Sequence, residues 1–99
     1  YNGNYHYSTK TQWQLNTWYH VVMVEDGSGS IFLYIDGVLD ATDSEGPRTR
    51  HPGYPFDIGG GYGGSFFQGQ VDEIVVYRGA LSASDVSARF NDVIGQLAR

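Results

Sequence analysis

The sequence predicts an all-β domain closed by one C-terminal helix, and three observations predict it. First, WYHVVMVE at residues 18–25 and SIFLYI at residues 30–35 are β-branched and aromatic runs. Asp26-Gly27-Ser28-Gly29 between them is hairpin turn chemistry. Second, Asp36-Gly37 after the second run is the dipeptide favoured in tight type I′ turns, so a third strand should follow. Third, the apolar spacing changes after Ser82. Val86, Phe90, Val93, Ile94 and Leu97 fall on one stripe of a helix.

The elements follow in chain order. Residues 4–10 (NYHYSTK) alternate weakly and are expected as a short strand, with residues 12–17 a polar connection. Residues 18–25 and 30–35 should pair through a four-residue loop. That register puts Val21, Met23, Phe32 and Tyr34 on one side and Val22, Val24, Ile31 and Leu33 on the other. Both sides are apolar, so both are expected to be covered. Residues 38–41 continue as a short edge. Residues 42–54 (TDSEGPRTRHPGY) have no period and contain Pro47, Pro52, Gly46 and Gly53, which marks a long connection of the kind that often carries function. Residues 56–59 are expected as a short strand, residues 60–65 as a glycine turn, and residues 68–77 as the last and longest strand. Ser82 with Asp85 forms a capping box in which Asp stands where Glu is usual.

Bulk properties narrow the function classes. A chain of 99 residues suits one domain. With 40% hydrophobic and 17% charged residues it falls among folded chains rather than disordered ones. The net charge of −5 argues against nucleic acid or an anionic membrane as the main partner. It leaves a cation, a neutral glycan or a basic protein surface. The sequence has no cysteine, which excludes disulfides and thiolate metal sites. No apolar run approaches the roughly 20 residues that membrane insertion as a helix requires.

Three blocks stand in order along the chain. Trp18, His20, Val21, Leu33, Tyr34, Asp36 and Gly37 spell W-x-H-V then L-Y-x-D-G. Ile58 and Gly59 follow, and then Phe67, Gly69, Val71, Asp72, Glu73, Ile74, Tyr77, Ala80, Leu81 and Ser82. This combination resembles the laminin-G-like (concanavalin A-like lectin/glucanase) superfamily. The resemblance implies an antiparallel jelly-roll sandwich of two facing sheets with a short C-terminal helix. It covers the C-terminal part of the family pattern, whose opening strands have no counterpart before Tyr1. Residues 1–99 are therefore expected as a single laminin-G-like domain lacking its N-terminal strands, completed by upstream residues or by another chain. Val75 departs from the pattern, which usually carries a polar or basic residue there.

Candidate sites are few. In a strand, Asp72 would share a face with Ile74 and Val76, and Glu73 with Val71 and Val75. A carboxylate in such company must be paired, hydrogen-bonded or metal-bound. The resemblance implies a structural calcium held partly by Asp72, and a hydrogen bond to neighbouring backbone is the simpler alternative. Asp43, Glu45, Arg48, Arg50, His51 and Tyr54 bring charge, hydrogen bonding and an aromatic face into one connection. Tyr62 and Phe66 add stacking surface. That mixture suits a sugar, and a solvated loop with no ligand is the plain alternative. Trp18 and His20 are expected as a core aromatic and a satisfied imidazole, since no nucleophile motif accompanies them. The glycine run lacks the Lys-Ser/Thr of a phosphate loop.

The resemblance also implies where catalysis would sit, and the E-x-D-x-x-E strand of jelly-roll glycan hydrolases is missing. Asp72 and Glu73 are adjacent and cannot flank one glycosidic bond. The expected function is a non-catalytic recognition module of a secreted, cell-surface or virion protein, binding glycan. The alternatives are a structural or assembly module packing on another chain, and part of a glycan-active enzyme.

Overall fold

The computed structural model describes residues 6–44, 58–60, 67–77 and 79–97. Within them three strands, β1 (Val21–Glu25), β2 (Ser30–Ile35) and β3 (Val38–Ser44), form one antiparallel sheet in the order β1-β2-β3. One helix, α1 (Ala83–Leu97), packs on it. The described residues thus hold a mostly β arrangement with a single sheet.

The β2–β3 turn forms as its dipeptide predicts. Asp36 and Gly37 both have positive φ, 52° and 80°, as a type I′ turn requires. The turn is also tied to the entrance of β1. The Asp36 carboxylate accepts the His20 backbone N–H at 2.9 Å. The Asp36 N–H donates to the His20 carbonyl at 2.8 Å.

The β1–β2 register differs from the expected one by a single residue. Val24 lies opposite Phe32, Val22 opposite Tyr34 and Glu25 opposite Ile31. A slip of one exchanges every side chain between faces. Val22, Val24, Phe32 and Tyr34 therefore share one face, and Val21, Met23, Ile31 and Leu33 the other. The loop is the physical reason. Asp26 accepts from the Ser28 N–H at 2.9 Å, the Ser28 hydroxyl at 2.7 Å and the Ser30 N–H at 3.2 Å. Gly27 and Gly29 take positive φ to allow it. The loop engages Ser30, so the ladder to β1 begins at Ile31.

The core sits between the first of these faces and α1. Val24, Tyr34 and Val86 are buried together, with Val22, Phe32 and Leu81 packed against them. The opposite face is unevenly covered. Ile31 is buried there, while Val21 and Met23 stay more than half exposed, at 59% and 54%. Trp18, expected in the core, is 45% exposed.

β3 runs to Ser44, three residues past its expected end. It carries a bulge: Leu33 faces Ala41 and Tyr34 faces Leu39, which leaves Asp40 as the extra residue. α1 begins as predicted. The Ser82 hydroxyl accepts the Asp85 N–H at 3.1 Å, and the Asp85 carboxylate accepts the Ser82 N–H at 3.2 Å, completing the box. The Ser82 backbone N–H first, and the Ser82 hydroxyl second, hold the Asp85 carboxyl below its ordinary value. Val86 is fully buried and Phe90 half-buried, but Ile94 is largely exposed, so the helix docks through its first two turns.

Among the described residues two expected strands do not form. Residues 6–10 and 68–77 form no ladder. In the second segment Glu73 has φ 54° and donates its N–H to the Asp72 carboxylate at 2.8 Å. That left-handed residue breaks the alternation. Val71, Ile74, Val75 and Val76 are all exposed rather than paired in a sheet. β-branched residues favour a strand through cross-strand packing, and no described segment forms a ladder with this one. The Arg89 guanidinium, 4.9 Å above the Tyr77 ring, links the segment to α1. The strand expected at residues 56–59 falls partly outside the described residues, and Ile58 and Gly59 are not in one.

Candidate functional site

The open end of the β2–β3 hairpin holds the candidate site. Antiparallel pairing brings Ser30 opposite Ser44 and Phe32 opposite Thr42. These four residues and Asp43 line an open groove of about 410 Å³. The hydroxyls offer donors and acceptors beside one phenyl ring, while Asp43, opposite Ile31, turns its carboxylate toward the other face of the ladder. The Asp26 loop stands at the same end, since β1 finishes and β2 begins there.

Asp43 is the charged residue bordering the groove. Its Oδ2 lies 2.6 Å from His6 Nδ1, and its Oδ1 accepts the Ser44 N–H at 2.7 Å. The His6 contact first, and the Ser44 amide second, hold the Asp43 carboxyl below its ordinary value. Three residues along, Thr9 repeats the arrangement on Asp40. Its N–H and hydroxyl donate to the two Asp40 carboxylate oxygens at 2.7 and 2.8 Å. Residues 6–10 thus run antiparallel to β3, fastened by side chains where a strand would use backbone bonds.

Of the predicted ligand residues, Asp43 lies in this groove. Glu45, Arg48, Arg50, His51, Tyr54 and Tyr62 lie outside the described residues. Asp72 is exposed on the segment that lost its strand, and its described bond is the local one to Glu73. No group of three His, Asp or Glu side chains suited to a metal ion occurs among the described residues. His20 is not the satisfied imidazole expected: its Nδ1 is buried with no hydrogen-bond partner among the described residues. Its ring stands 5.8 Å from that of Phe90. The sequence reading missed His6, Ser30, Phe32, Thr42 and Ser44 as site residues. His6 is 37 positions from Asp43, and no spacing rule reaches that far.

Residues 1–87 match the family described as the Concanavalin A-like lectin/glucanases superfamily. The chain belongs to that superfamily. Its structure is also similar to the crystal structure of an S-layer domain-containing protein, residues 221–444, from Clostridium thermocellum. The TM-score is 0.66 at 19% identity, a likeness of fold. The match covers 82% of this chain and 42% of that one, so the superfamily member described here spans less than half of its neighbour. No curated protein matches the chain. No helix among the described residues is long and apolar enough to cross a membrane.

Proposed function

We propose that the chain is part of a jelly-roll recognition module, non-catalytic and displayed at a cell surface, that binds glycan at the Asp43 groove. One observation carries the reading: the groove combines the Phe32 ring with the Ser30, Thr42 and Ser44 hydroxyls, with Asp43 at its border. A sugar ring has an apolar face and a polar edge, and such a wall serves both. Superfamily membership and the S-layer neighbour support the surface setting. Calcium, with Asp72 as one ligand, is proposed as a structural ion rather than part of the groove.

A panel of oligosaccharides titrated with and without calcium tests this. Asp43→Asn should weaken a bound glycan by about tenfold, the loss of one charge-assisted hydrogen bond. Calcium should raise the melting temperature, because an ion that binds only the folded state stabilises it. Asp72→Asn should remove that response and leave glycan affinity unchanged. Absence of any glycan binding at millimolar concentration overturns the recognition reading. Absence of a melting shift overturns the calcium.

A second reading has its own observation. Val21, Met23 and Val38 lie on the sheet face away from α1 and are 54% to 68% exposed. Such a face favours an assembly role, in which upstream residues or another chain cover it.

A further inference from the structure

We propose that Lys10, Trp13 and Tyr19 form a second ligand site, one for a carboxylate-bearing sugar such as a uronic acid. The site stands on residues of the segment before β1 and does not rest on the groove reading. Trp13 and Tyr19 meet edge to face, with ring centroids 4.8 Å apart and planes at 78°. The Lys10 ammonium stands 5.2 Å from the Trp13 centroid and 5.3 Å from that of Tyr19. A turn makes the meeting possible: Asn16 takes φ 56° and sends the chain back toward Tyr19.

The rings are held before any ligand arrives. The Trp13 indole N–H donates to the Lys10 carbonyl at 3.2 Å. The Tyr19 hydroxyl accepts the Gln14 N–H at 2.8 Å. With both polar handles bound to the local backbone, the rings are fixed in place, and binding loses less entropy on such a surface. Trp13 remains 44% exposed, which leaves ring surface open to a ligand.

The charge identifies the occupant. Lys10 is the only lysine in the sequence. No carboxylate among the described residues pairs with it. A ligand with an apolar ring face and a carboxylate at its rim would stack on Trp13 and neutralise Lys10 together. A uronic acid has that shape, whereas a neutral sugar leaves the cation unused and an acidic peptide leaves the ring face unused. The chain's net charge of −5 opposes any anion. Salt screens that opposition beyond about 8 Å, so a contact with Lys10 outweighs it.

The two tryptophans, Trp13 and Trp18, give a fluorescence signal for the test. The full chain is titrated with trigalacturonate, with neutral galactotriose and with a pentaglutamate peptide. Trigalacturonate should bind about tenfold tighter than either of the others. Lys10→Gln should reduce it to the galactotriose level, and Lys10→Arg should keep the preference. Lys10 lies outside the Asp43 groove, so a loss confined to Lys10→Gln separates this site from that one. The proposal is overturned if galactotriose or pentaglutamate binds as well as trigalacturonate, if Lys10→Gln binds undiminished, or if nothing binds.

Discussion

At Gly37 the backbone has φ 80°, and the Phe90 ring lies 3.0 Å from where a Cβ would stand. Either condition alone disfavours a side chain. The left-handed backbone costs an L-residue roughly 1–2 kcal/mol, and the contact with Phe90 adds to it. The same residue therefore closes the hairpin and lets the helix approach it. Gly37→Ala should lower unfolding stability by at least about 1 kcal/mol in urea. An unchanged midpoint would mean that Phe90 does not rest on this turn in solution. Trp18 shows the opposite case. With its ring half in water, truncation should cost far less than the 3–5 kcal/mol typical of a core aromatic.

α1 owes its start to the Ser82–Asp85 box and its position to Val86 and Phe90. An isolated helix of 15 residues is marginal in water, so packing and capping must both contribute. Ser82→Ala removes the acceptor for the Asp85 N–H and should cost about 0.5–2 kcal/mol. Circular dichroism on thermal unfolding measures it, with Ser82→Asp as the variant expected to retain the cap. If the alanine variant melts with the wild type, the helix is held by the packing of Val86 and Phe90 without the cap. Segment 67–77 is the counterpart among strands. Its residues have high β propensity, but a strand has no internal hydrogen bonds, so without a neighbour it stays irregular.

For the whole molecule, surface area is the telling quantity. Among the described residues Val21, Met23, Val38, Val71, Ile74 and Val76 are at least half exposed. Apolar surface in water costs about 25 cal/mol per Å² relative to burial. The 99-residue chain alone should therefore self-associate at low micromolar concentration. Sedimentation velocity tests this, and threonine at positions 21, 23 and 38 should shift the distribution toward monomer. A compact wild-type monomer would show that the chain covers these faces itself.

The features legible in the residues are those closed within a few positions. Asp36-Gly37 specifies its own turn through two positive φ angles. Ser82 and Asp85 specify a helix start through bonds three residues apart. The runs at β1 and β2 announce strands through composition. The superfamily, too, is written in motifs along the chain. The β1–β2 register was not legible, because it depended on how Asp26 folds its loop, and one residue there reverses both faces. Nor was the fate of residues 68–77, since a strand exists only beside another. In the candidate site, Asp43 could be picked out by its chemistry, but not the His6 that holds it or the Phe32 ring across the ladder. Those partners come together through the sheet, over separations at which the chain order carries no spacing signal. Local bonds are set by neighbours in sequence, and long-range contacts only by the packing that brings distant segments together.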